Sequence, residues 1–197
     1  DEALVDLVAH QPRVCRHMHI PLQSGCDTVL ARMARPYNTA FYRELISRLH
    51  RADPAIGLGA DVMVGFPGET DDEFEITRRF IEEIPLSYLH VFTYSPRPGT
   101  PAADMPGQVE HQVKLARNHV LRDLSEAKRT AFANSMLGTV LQTVVERPVP
   151  DRCGILQGTT DNYLRVELAA PEALRGTIQP VHISEAQGES LRGRLPA

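Results

Sequence analysis

The chain has 197 residues, 42% hydrophobic and 23% charged, which suits one or two packed soluble domains and excludes global disorder. Its apolar runs are strand-sized and no basic, apolar leader opens it, so the composition excludes a membrane span and argues against secretion. A net charge of −4 speaks against an autonomous nucleic-acid binder: residues 1–108 hold 10 basic against 15 acidic residues, and only 109–137 lean positive, 5 against 3. Cys15, Cys26 and Cys153 are odd in number and far apart. They offer neither a disulfide scaffold nor the C-x-x-C or C-x-x-x-C-x-x-C spacing of a zinc or iron–sulfur site. The sequence begins Asp1-Glu2 without Met, which predicts an excised or processed piece.

Residues 2–9 carry apolar positions at helical spacing. His17–Gln23 alternates as a short strand closed by Gly25, and Asp27–Arg35 reads as a short helix presenting Val29, Leu30 and Met33. A helix from Asn38 or Thr39 buries Leu45, Ile46 and Leu49 and ends at Asp53-Pro54. Gly59–Phe66 is the clearest buried strand. The turn Pro67-Gly68 leads from it to Thr70-Asp-Asp-Glu73, which has the form of a capping box. That helix runs to Pro85, Tyr88–Tyr94 is another strand, and Ser95–Pro101 is a Pro/Gly loop. Strands alternating with helices at this spacing predict right-handed crossovers and a parallel sheet, of which three strands are only a part.

A long amphipathic helix follows, with Val109, Val113, Ala116, Val120, Leu124, Ala127 and Ala131 as its expected buried stripe. Lys114, Arg117, Arg122, Lys128 and Arg129 are expected on its solvated face, and Gly138 to stop it. Beyond it, Thr139–Glu146, Gly154–Gln157, Tyr163–Leu168, Thr177–Ile183 and a run near Leu191 have the rhythm of a small antiparallel barrel. The expected domains are 1–137 and 138–197.

Polar or glycine-rich signals end three strands: Gln23-Ser24-Gly25, Gly65-Phe-Pro-Gly-Glu69 and Tyr94-Ser95-Pro96. In parallel α/β folds ligands bind at those ends, although Gly65–Glu69 also reads as a plain βα turn. Asp61 sits in an apolar strand, where a carboxylate needs a partner. No Walker motif or G-x-G-x-x-G occurs. His17 and His19 fall on one strand face and suit a metal, but no third ligand lies near in sequence, and polar packing is the favoured reading. Tyr163 and Arg165, two apart on an expected strand, suit base stacking plus phosphate contact or an ordinary surface pair.

Three blocks, HIPLQSGCDTVLARMARPY, DVMVGFPGETDDEF and HVFTYSPRPGTPAADMPGQV, closely resemble the radical S-adenosylmethionine methylthiotransferases in content, order and spacing. The resemblance covers essentially the whole chain. It implies an α/β fold: part of a radical SAM (βα) barrel, about three parallel strands with helices, followed by a small β-barrel of the TRAM, OB-like type. Ser24-Gly-Cys-Asp27, the HVFTYS strand and the short last domain look most like the branch that methylthiolates C2 of N6-threonylcarbamoyladenosine beside the tRNA anticodon. Enzymes acting on isopentenyladenosine in tRNA or on a ribosomal-protein aspartate, and a stand-alone RNA-binding module, are the alternatives.

The family's chemistry uses S-adenosyl-L-methionine and two 4Fe-4S clusters, one cleaving the cofactor to a 5′-deoxyadenosyl radical and one supplying sulfur. Neither cluster motif is present, so the resemblance implies a carboxy-terminal part, inactive alone, that contributes no catalytic or metal residue. Its implied partners are the missing amino-terminal half, the tRNA anticodon stem-loop and a reductant protein, with no membrane, in the cytoplasm. By similarity, Gln23, Ser24, Arg35, Asp61, Gly65 and Phe66 hold the cofactor. Tyr94, Ser95, Tyr163 and Arg165 meet the substrate.

Overall fold

A computed structural model describes residues 2–196. Its first part alternates helix and strand: α1 (Glu2–His10), β1 (His17–His19), α2 (Asp27–Arg32), α3 (Thr39–Ala52), β2 (Gly57–Val64), α4 (Asp71–Glu83), β3 (Tyr88–Thr93) and α5 (His111–Ser135). The strands form a sheet in the order β1-β2-β3. β2 and β3 run parallel with Asp61 opposite His90 and Met63 opposite Phe92, and a parallel bridge joins Gln23 to Val62. The second part is a closed barrel of β4 (Val140–Pro148), β5 (Ile155–Thr160), β6 (Arg165–Ala169), β7 (Ile178–Gln187) and β8 (Ser190–Arg194), in the order β4-β5-β6-β8-β7. This is the expected α/β arrangement followed by a small barrel, with one difference. The β6·β8 pair is parallel, so the barrel is mixed rather than wholly antiparallel. A connection that skips a neighbour leaves no hairpin to enforce antiparallel pairing.

Contacts divide the described residues into two compact units: 2–18, 52–57 and 126–196, and 19–51 and 58–125. In the second unit, Leu58, Ala60, Val62 and Val64 of β2 are buried, as the period of two requires. The helices are pinned to the sheet by side chains that bond backbone. Tyr42 of α3 donates to the Ile20 carbonyl (2.7 Å), Asn118 of α5 donates to the Val91 carbonyl (3.1 Å), and Ser125 receives the Leu89 N–H (2.8 Å). The capping box forms as expected, with Glu73 N–H donating to Thr70 Oγ1 and Thr70 N–H to Glu73 Oε2. Among the described residues no helix is long and apolar enough to cross a membrane.

Helix α5 departs from the expected stripe. Ala116, Val120, Ala127 and Ala131 are exposed, whereas Arg117 and Leu121 are buried and Lys114 is half-buried. Apolar counting misplaces this face because part of it packs through polar partners, which periodicity does not see. In the first unit, Leu141, Val145, Leu156, Val166, Leu168, Val181, Ile183 and Leu191 fill the barrel, joined by Ala133 and Met136 at the end of α5. Gly138, at a φ of 77°, marks the end of the helical turn before β4.

Candidate functional site

A cleft of about 410 Å3 opens where β2 and β3 end, lined by Arg35, Met63, Phe66, Tyr94, Ser95 and Arg97 among others. Next to Phe66 is Gly65, whose φ of 73° is the left-handed region that glycine enters without strain. A Cβ there would fall 2.1 Å from Lys114 Cγ, so the backbone bend and the lysine's approach both require glycine. Gly65 N–H donates to Glu69 Oε1 (3.0 Å), and Glu69 is held from behind by Arg117 (2.6 Å). Burial pushes the Glu69 carboxyl up, against the Gly65 N–H and Arg117, which pull it down.

Phe66 and Tyr94 meet edge to face, ring centroids 5.4 Å apart, with Cys26, Val29, Met33 and Met63 packed around them. Tyr94 extends the sheet through its N–H to the Val64 carbonyl (2.9 Å), and Lys114 Nζ donates to its carbonyl (3.2 Å). Tyr94 is only 7% exposed, and its hydroxyl is buried with no hydrogen-bond partner among the described residues. A buried donor without a partner costs stability unless a ligand satisfies it. Arg35 and Arg97 place two guanidinium groups on the cleft's lining. Flat apolar rings, a waiting hydroxyl and cations suit a planar ring system with an attached anionic group.

Of the residues expected in a site, Arg35, Phe66, Tyr94 and Ser95 line this cleft together, whereas Gln23, Ser24, Asp61 and Gly65 are not part of its lining. Gln23 stands at a φ of 67° and donates its N–H to the Asp61 carbonyl (2.8 Å). Ser24 is fully buried, its hydroxyl shared with Thr77 (3.0 Å) and receiving the Cys26 N–H (3.2 Å). Asp61 is half-buried, and its carboxylate meets His19 Nε2 at 2.9 Å and His90 Nδ1 at 3.5 Å. The partner that its strand position demanded is thus a pair of histidines. Arg97, Met33, Met63 and His90 escaped the sequence reading. For His90 the signal was present, a lone imidazole in YLHVFTY, which the strand register sets directly opposite Asp61.

Two further corrections concern charge and the barrel. Arg117, expected on a solvated face, is buried in an ion pair with Glu69. Tyr163 does not lie on a strand two before Arg165. It occupies the β5–β6 turn at a φ of 71°, with its ring stacked on His17 at 4.4 Å, while Arg165 is the exposed first residue of β6. The turn is anchored within its unit by the Arg16–Asp161 pair (2.8 and 3.1 Å) and by Asn162 donating to the Ala55 carbonyl (3.0 Å). These long-range contacts override the local alternation from which the strand was read.

The donor set also bears on cofactors. The cleft's lining, with two arginines, two aromatic rings and the Tyr94 hydroxyl, is chemically compatible with a cofactor that carries a planar base and a carboxylate. The three cysteines do not fit an iron–sulfur cluster: all are free thiols, Cys15 and Cys153 exposed and Cys26 buried beside Thr28.

Residues 1–81 match the Radical SAM superfamily model. That stretch of the chain therefore belongs to the radical SAM superfamily. More particularly, the chain is similar over nearly its whole length to proteins named tRNA-2-methylthio-N(6)-dimethylallyladenosine synthase. It is 36% identical to the one from Nitrosomonas europaea (98% of this chain, 43% of the relative). It is 39% identical to that of Bordetella petrii (98% and 40%) and 37% identical to that of Akkermansia muciniphila (96% and 42%). The chain spans about two fifths of the length of these curated relatives.

Proposed function

We propose that this chain forms the cofactor edge and the RNA-recognition part of a tRNA methylthiotransferase, which adds a methylthio group to C2 of a hypermodified adenosine. The observation that carries this reading is the cleft itself, which gathers Arg35, Phe66, Tyr94 and Ser95 beside a buried, unpartnered hydroxyl. When bound, one S-adenosylmethionine with its cluster would supply the hydrogen-abstracting radical, and a second molecule the methyl group. Arg35 would take the methionine carboxylate, since a guanidinium meets a carboxylate bidentately. Phe66 and Tyr94 would flank the adenine, with Ser95 at the mouth, while Gly65 and Glu69 keep the wall in shape. Gln23, Ser24 and Asp61 would support the ribose side through the backbone they share. Residues 1–137 would be the partial radical SAM barrel and 138–197 the TRAM-type domain, with Tyr163 and Arg165 toward the anticodon stem-loop.

Two nucleosides compete as substrate. The relatives' names favour N6-dimethylallyladenosine, whereas Ser24-Gly-Cys-Asp27 resembles the threonylcarbamoyl branch. Both clusters would be held outside this chain, so it would be inactive by itself in the cytoplasm, needing the rest of the protein and a reductant. The test is nucleoside mass spectrometry of tRNA from cells lacking the longer protein. Loss of the 2-methylthio form of either adenosine identifies the substrate, and retention of both overturns the reading. Calorimetric titration of S-adenosylmethionine checks the cleft: Arg35→Ala should weaken binding at least tenfold, and unchanged affinity removes Arg35 from the site.

A further inference from the structure

His19, Asp61 and His90 come from three adjacent strands of the sheet, yet their ligating atoms all lie within 4.8 Å of one another. Both imidazoles address the same carboxylate oxygen: His19 Nε2 stands 2.9 Å and His90 Nδ1 3.5 Å from Asp61 Oδ1. Ligands bound at about 2.1 Å to one ion stand roughly 3.0 Å apart in an octahedron and roughly 3.4 Å apart in a tetrahedron. The two separations, 2.9 and 3.5 Å, are close to those edge lengths. The third lies within 4.8 Å, and the His90 side chain, 50% exposed, has room to turn.

The surroundings are built for the same purpose. His19 Nδ1, the nitrogen turned away from Asp61, meets the Tyr88 hydroxyl at 3.3 Å, which orients the ring as outer partners of metal-bound histidines do. That contact exists because position 59 is glycine: a Cβ there would fall 2.3 Å from Tyr88 Cζ and 2.8 Å from His19 Nδ1. Asp61 and His90 are register partners on β2 and β3, so the sheet's hydrogen bonds hold the pair at one level. Strand-borne ligands of this kind are positioned more precisely than loop-borne ones.

We propose that His19, Asp61 and His90 bind one divalent transition-metal ion of the zinc or ferrous class, through two imidazoles and one carboxylate, leaving open coordination positions for water or a substrate oxygen. Imidazole selects such ions over magnesium or calcium, and three protein ligands with open positions are the arrangement of reactive rather than purely structural centres. The site is distinct from the cysteine-held clusters of the proposed reaction and uses none of the residues that line the cleft, although it shares Asp61 with the proposed ribose side.

The probe is cobalt(II) alone, titrated into the metal-stripped 197-residue chain without S-adenosylmethionine. One equivalent should bind, giving a visible ligand-field spectrum without thiolate charge-transfer bands. His19→Ala and Asp61→Ala should abolish that spectrum. His90→Gln, at an exposed position and safe for folding, should weaken binding at least tenfold, and Tyr88→Phe by about tenfold. Zinc should displace the cobalt. The proposal is overturned if no stoichiometric binding occurs, or if His90→Gln binds as tightly as the parent. Thiolate bands that vanish in the Cys15→Ser, Cys153→Ser double variant also overturn it, since the exposed thiols would then be the ligands.

Discussion

Arg117 and Glu69 form an ion pair at 2.6 Å behind the cleft, and only 2% of the Glu69 side chain is exposed. The same guanidinium reaches Asp71 at 2.7 Å, but that carboxylate is 94% exposed. One arginine therefore makes a buried and a surface bond, and the two differ sharply in worth. Removing Arg117 strands a buried charge, so Arg117→Ala should destabilise the fold by about 3–5 kcal/mol in urea denaturation. Asp71→Asn should stay within about 1 kcal/mol, because water already screens that bond. Equal losses would show that the buried pair carries no special weight.

Glu73 is the acid-sensitive group. Arg32 above all, with help from Thr28 and the Thr70 N–H, holds its carboxyl down to about 2 from an ordinary 4.5. A lowered carboxylate contributes stability that is fully present above pH 4.5 and is lost as pH falls toward 2. Glu73→Gln should therefore be less stable than the parent by about 1–2 kcal/mol at neutral pH, with its cap and charged bonds weakened. The gap should narrow steadily between pH 4.5 and 2 in denaturation curves. A gap independent of pH would contradict the assignment.

Tyr94→Phe separates folding from binding. The hydroxyl lacks a protein partner, so its loss should leave the melting temperature unchanged or slightly raised. If a cofactor group completes that hydroxyl, the same variant should bind S-adenosylmethionine several-fold more weakly. A marked fall in melting temperature would mean that the hydroxyl is already satisfied.

Arg165 is exposed at the start of β6. In the longer protein, Arg165→Ala should weaken tRNA binding and reduce the slope of log affinity against log salt by about 1. Filter binding at several salt concentrations measures both, and an unchanged slope removes Arg165 from the phosphate contacts.

The sequence by itself determined what depends on neighbours in the chain. The Thr70–Glu73 capping box, the turn at Gly65, the alternation of β2 and the turn-punctuated barrel strands follow from local sterics and periods of two or 3.6. The long motif blocks carried the family. The tertiary structure alone decided where polar groups go. Arg117 is buried because Glu69, 48 residues away, awaits it. Tyr163 leaves its strand because Arg16, His17 and Ala55 hold the turn around it. Asp61 stands between His19 and His90 because the register of three strands brings them level. Apolar burial is written as a pattern that any neighbour can satisfy. A buried or shared polar group needs one particular partner, and that partner is known only when the chain has closed.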